Sequence, residues 1–134
     1  MIQRVQTLYL LAAIAFLVVF CLVPFGYSLS APASGCMMAF GSICVILPAA
    51  ISGLLSLVAI FLYRKLDIQK SAVIVAMVFA VVTSCAGLVT VYSTEGASPG
   101  WGLALPLLAA VALIGAWRGI KADRSLLRSY DRLR

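Results

Sequence analysis

Val5-Gln6-Thr7-Leu8-Tyr9-Leu10-Leu11-Ala12-Ala13-Ile14-Ala15-Phe16-Leu17-Val18-Val19-Phe20-Cys21-Leu22-Val23 contains no charged residue. A bilayer core of about 30 Å takes about 20 mostly apolar residues as a helix, and this run supplies nearly that many. In lipid each backbone N–H and C=O must be bonded within the segment, so a helix is the form such a run can take. Pro24-Phe25-Gly26 ends it. Proline restricts the residue before it and glycine then permits a turn.

Working outward, the same pattern recurs. No charge occurs between Arg4 and Arg64, nor between Lys70 and Glu95. Three further spans are expected at about Ala39 to Tyr63, Ser71 to Tyr92 and Trp101 to Trp117, the last being the shortest, with Pro106 near its first turn. Of the 134 residues 64% are hydrophobic and 10% charged. The mean hydropathy is +1.15. A soluble domain carries about 25% charged residues because its surface faces water. Soluble enzymes, secreted disulfide scaffolds and nucleic-acid binders are excluded as classes. The expected fold is an all-α membrane protein in two parts: a four-helix transmembrane bundle over residues 1–117 and a tail over 118–134.

Charge sets the expected orientation. All ten Lys and Arg fall at Arg4, in the Arg64 to Lys70 loop, or after Trp117. The opposite loops, Pro24 to Met38 and Ser93 to Gly100, carry only Glu95. The positive-inside rule puts both termini in the cytoplasm, which an even number of spans allows. Tyr9, Tyr63 and Trp117 would mark the inner interface and Tyr27, Tyr92 and Trp101 the outer one, a depth that suits amphipathic rings. Ala31-Pro32-Ala33 and Ala33-Ser34-Gly35-Cys36 resemble cleavage sites, but the apolar run ends at Val23, well before either. An uncleaved first helix is expected.

Lipid gives helices no hydrophobic reason to associate, so small residues and interhelical hydrogen bonds must hold them. Ala72, Ala76, Ala80 and Ser84 form a smooth stripe on the third span, and Gly53 and Gly115 offer close approach on the second and fourth. Bundle packing is the expected use of these surfaces, with homo-oligomer contact as the other. Pro48 removes a helical donor and should kink the second span or free a carbonyl.

No span contains an Asp, Glu, Lys, Arg or His between its ends, so the usual mark of a proton relay or ion path is missing. The small multidrug exporters, of similar size, depend on a membrane glutamate that this chain lacks. The chain has no His, which excludes imidazole metal sites and His-based catalysis. Cys21, Cys36, Cys44 and Cys85 all fall in the expected outer half. Their spacing offers no Cys-x-x-Cys pair, so inert or structural thiols are expected before a redox role. No catalytic residue, cofactor site or metal site is expected.

After Trp117 the composition changes. At about 100° per residue Lys121, Arg124, Arg128 and Arg132 share one face, and Ile120, Leu126, Leu127, Tyr130 and Leu133 the other. The tail therefore reads as a basic amphipathic helix. Its arginines suit anionic lipid headgroups. Asp123 and Asp131 weaken that attraction, and an Arg128–Asp131 pair would leave Leu127, Tyr130 and Leu133 for a protein partner. A tail that only anchors the topology would obey the same charge rule. Gln3, Gln6 and Thr7 lie at the same interface and need hydrogen-bond partners, and Arg4 could meet Asp123 or Asp67. The expected interaction face combines Gln3, Arg4, Gln6 and Thr7 with Arg124, Arg128, Tyr130, Asp131, Arg132 and Arg134. Gly115 and Gly119 permit a bend between span and tail.

Met1-Ile2-Gln3-Arg4-Val5-Gln6-Thr7-Leu8-Tyr9-Leu10-Leu11 and Leu127-Arg128-Ser129-Tyr130-Asp131-Arg132-Leu133-Arg134 resemble the two ends of the domain-of-unknown-function 4293 family of Bacteroidota. Its members are small four-helix membrane proteins with a closing Arg-Ser-x-Asp-Arg-Leu-Arg. The resemblance implies an inner-membrane protein of a Gram-negative bacterium and brings no activity with it. The expected function is a non-enzymatic scaffold or adaptor whose cytoplasmic face docks a protein or anionic lipid. A channel or transporter subunit for an uncharged or hydrophobic solute is the alternative, motivated by Pro48, Ser52, Ser56, Thr83 and Ser84. Thiol redox chemistry on the outer side comes third.

Overall fold

The computed structural model describes residues 2–28, 35–62 and 65–131. Four helices make up most of it: α1 (Ile2–Leu22), α2 (Ile43–Phe61), α3 (Leu66–Ser93) and α4 (Ala104–Asp131). Each carries a segment long and apolar enough to cross a membrane: Val5–Leu22, Ile43–Phe61, Asp67–Ser93 and Trp101–Leu126. Three boundaries differ from the sequence expectation. The second helix starts at Ile43 because a strand at Cys36–Met37 and a 3-10 turn at Ala39–Gly41 take the residues before it. The third starts at Leu66 and so draws Asp67, Gln69 and Lys70 into its first turns. The fourth runs as one helix through Gly115 and Gly119, so no break separates span from tail.

The helices pack as a ring in which α1 touches α4 and α2, and α3 touches α2 and α4. The interior is built largely from small side chains. Ala13, Ala59, Ala76, Ala80, Ala109 and Ala116 are all fully buried, joined by Leu10, Leu17, Val73 and Leu113. The large aliphatic and aromatic side chains Leu8, Leu22, Leu54, Phe61 and Val89 point outward, with Leu22 67% and Phe61 73% exposed. A soluble protein does not carry large apolar side chains over its whole surface, whereas lipid solvates them and leaves small residues to bring backbones together. Ala72 is half-buried and Ser84 buried along the α3 stripe. Gly53 departs from its expected place at a helix contact: nothing lies within 4 Å of where its Cβ would be.

The hydroxyls of the spans are engaged. Ser52 donates to the carbonyl of Ala76 at 2.8 Å, a bond from α2 to α3. Ser56, Thr83 and Ser84 each donate to the carbonyl four residues earlier in their own helix. Pro48 is buried within α2 and leaves the Cys44 carbonyl without its usual helical donor. Ser52→Ala is expected to lower stability by about 0.6–1.7 kcal/mol, the range for interhelical hydrogen bonds in membranes, with Ser71→Ala on the exposed side of α3 unchanged. Unfolding in a denaturing-detergent titration measures both.

One end of the bundle closes with a small antiparallel sheet that the sequence reading did not include. Its strands are β1 (Gly26–Ser28), β2 (Cys36–Met37) and β3 (Ala97–Pro99), in the order β2-β1-β3. Tyr27 pairs with Cys36 on one side and with Ser98 on the other. Backbone bonds extend the sheet at Phe25 N–H to Met37 O and Gly100 N–H to Phe25 O, each 2.9 Å. Gly35 and Gly96 sit at φ of +66° and +71° in the turns that lead into β2 and β3, a region that favours glycine. Behind the sheet Phe20, Phe25, Val45, Val91 and Leu103 form a second core cluster. Tyr27, Tyr92 and Trp101 lie exposed at this end.

Candidate functional site

The polar and charged side chains gather at the opposite end, which is assembled from α1, α3 and α4. The contact between α1 and α4 is built on the spacing of four between Gly115, Gly119 and Asp123. A Cβ on Gly115 would lie 3.0 Å from the Tyr9 ring, and one on Gly119 would lie 2.9 Å from Cγ of Gln6. Missing side chains at these positions let Tyr9 and the stem of Gln6 lie against the α4 backbone. One turn further, the Gln6 amide Nε2 donates to Oδ2 of Asp123. Gln6 is only 3% exposed, so this bond satisfies an amide that the sequence placed in an apolar helix. Thr7 beside it is half-buried.

On its other side α4 meets α3. Arg124 Nη1 lies 2.7 Å from Asp67 Oδ1. Asp67 is largely exposed, so the pair fixes register more than it adds stability. Just inside this pair, Lys70 Nζ lies 5.9 Å and Lys121 Nζ 5.4 Å from the centroid of the Trp117 ring. The Trp117 indole N–H is buried and has no acceptor among the described residues. Gln69 Nε2 donates to the carbonyl of Ala59 on α2 at 3.1 Å, while its Oε1 is buried without a donor among the described residues.

Of the two carboxylates expected to meet Arg4, Asp123 accepts from Gln6 and Asp67 pairs with Arg124. The side chains of Gln3, Arg4, Arg128, Tyr130 and Asp131, and the residues Arg132 and Arg134, lie outside the described residues. Of the apolar residues expected on one face of the tail, Ile120 is buried at 1% exposure and Leu126 is 47% exposed; the side chains of Leu127 and Tyr130, and the residue Leu133, lie outside the described residues. The sequence reading passed over the grouping of Lys70, Trp117 and Lys121. The i,i+4 spacing of Trp117 and Lys121 was its only local sign, and Lys70 arrives from a different helix.

All four cysteines carry free thiols. Cys44 and Cys85 line an open groove of about 550 Å³ between α2 and α3 near the sheet end, with Ser42, Val89, Thr90 and Thr94 among its walls. No cluster of three or more metal-ligating side chains occurs among the described residues.

These features define a class: a small four-helix bundle with lipid-compatible sides, capped by a sheet at one end and by a charged lattice of side chains at the other. Within that class the chain belongs to the family described as domain of unknown function DUF4293, whose model matches residues 2–133. No curated protein and no solved structure matches it.

Proposed function

We propose that the chain is a non-enzymatic scaffold or adaptor of a bacterial inner membrane, with both termini cytoplasmic, whose charged end docks a cytoplasmic protein partner alongside anionic headgroups. The orientation follows from the ten basic residues all falling at that end or in the segments leading to it. The observation that carries the reading is the length of α4. Its register against α3 is pinned where Arg124 meets Asp67 in the first turn of α3, yet α4 continues to Asp131, about 10 Å beyond at 1.5 Å per residue. Leu126 is exposed in that stretch. A helix that continues past its contact with α3 and exposes Leu126 in a stretch whose sequence is rich in arginine offers an apolar anchor and charge to another protein.

The alternative, a channel or transporter subunit, has less to support it. The hydroxyls that suggested a solute path each donate to a backbone carbonyl, so they serve the helices first. The test is isolation of the tagged protein from native membranes in mild detergent, with and without Arg128→Ala, Arg132→Ala and Arg134→Ala together. The adaptor reading expects a stoichiometric partner that is lost in the triple variant while thermal unfolding is unchanged. An identical set of copurifying components would remove it.

A further inference from the structure

The Lys70, Trp117 and Lys121 cluster has no assigned partner, and we propose that it is a binding site for the phosphate of an anionic phospholipid, set in the groove between α3 and α4. The inference needs only that the four helices cross a bilayer, and it stands or falls separately from the adaptor reading.

Two cations from different helices gather on one ring here. The two ammonium groups lie within 6 Å of the indole ring, at 5.9 and 5.4 Å, and the buried indole N–H has no acceptor among the described residues. The ring face attracts each cation, but the cations repel each other, and an anion held between their flexible stems relieves both. The nearby carboxylates are not available for that role. Asp67 is engaged by Arg124, and Asp123 by Gln6 on the α1 side of α4. Among the described residues, neither lysine has a carboxylate within ion-pair distance.

Continuity with apolar surface favours a lipid over a free anion: Trp117 and Lys70 lie toward the charged ends of two segments, Trp101–Leu126 and Asp67–Ser93, that are long and apolar enough to cross a membrane. Below the lysines the groove becomes apolar: Ile74 and Val78 follow Lys70 at one and two turns on α3, and Ile114 lies one turn before Trp117 on α4. All three are exposed. A headgroup at the lysines would therefore place its acyl chains along a matching apolar strip. Basic pockets between helices at the interface bind phospholipid headgroups in this manner.

The test uses full-length protein in a non-ionic detergent, titrated with phosphatidylglycerol or phosphatidylcholine and read by native mass spectrometry, with glycerol phosphate as the soluble competitor. Phosphatidylglycerol is expected to bind in preference to phosphatidylcholine. Lys70→Gln and Lys121→Gln should each weaken it about fivefold, and the pair together roughly 25-fold. Lys70→Arg with Lys121→Arg should retain binding, and Lys65→Gln, an exposed cation at the same end, should leave it unchanged. Each single variant carries the test if the double one fails to fold. Equal binding of the two lipids would overturn the proposal, as would equal loss in Lys65→Gln. Displacement by glycerol phosphate at the concentration of the lipid would overturn it too, since the site would then recognise a soluble phosphate.

Discussion

Gly102→Val is expected to unfold the sheet end of the bundle and lower stability by about 3 kcal/mol or more, at the upper end of overpacking costs. Gly102 is buried in the 3-10 turn Trp101–Leu103 that opens α4. Even a Cβ there would sit 2.5 Å from the Pro24 carbonyl oxygen, 3.0 Å from its carbon and 3.1 Å from the Phe25 Cα. These are backbone atoms, and they cannot step aside cheaply. Phe25 is held through its N–H to Met37 and through its carbonyl to Gly100, both at 2.9 Å, so movement would break the sheet. Gly41→Ala is the control, because nothing lies within 4 Å of its would-be Cβ. A denaturing-detergent titration should separate the two variants clearly. A Gly102→Val protein as stable as Gly41→Ala would mean that the turn does not pack on Pro24.

Gln6→Leu is the second large effect expected, a loss of about 1.5–3 kcal/mol, the scale for a hydrogen bond to a charged group. The substitution keeps the bulk that fills the space over Gly119 but removes the donor to Asp123. A half-buried carboxylate then stands in an apolar contact with no replacement among the described residues. Removing both partners is expected to recover part of the loss, because the main penalty is the orphaned charge rather than the missing bond. Gln6→Leu, Asp123→Leu and their combination, measured by the same titration, give the coupling. Strict additivity would contradict a direct bond across α1 and α4.

How much of this was legible beforehand depended on whether the signal was local. Four apolar runs and a one-sided charge pattern are properties of contiguous segments, so four helices could be read directly, and the family match agrees with the resemblance carried by the two ends of the chain. The sheet was not legible. Its strands are two or three residues long, and Ala97-Ser98-Pro99 follows turn residues that promise only a loop. It forms because the end of α1 and the start of α4 are brought to the same end of the bundle, where their backbone groups need partners. The site was legible only in composition. Gln6 clearly needed a partner, but the choice of Asp123 depends on Gly119 lying under its stem, one turn before the carboxylate. Gly119, read as permission to bend, instead makes room for α1. The grouping of Lys70 with Trp117 depends on how α3 and α4 pack, which no single segment encodes.

The adaptor reading turns on whether the end of α4 meets another protein. Site-specific photocrosslinking in native membranes tests this most directly, with the reactive group at Leu126 and a control at Ser98 on the sheet, both exposed. The account predicts a discrete protein adduct at Leu126 that is absent from Ser98 and disappears when Arg128, Arg132 and Arg134 are replaced by alanine. Adducts to lipid alone at Leu126, or the same protein adducts at both positions, would contradict it.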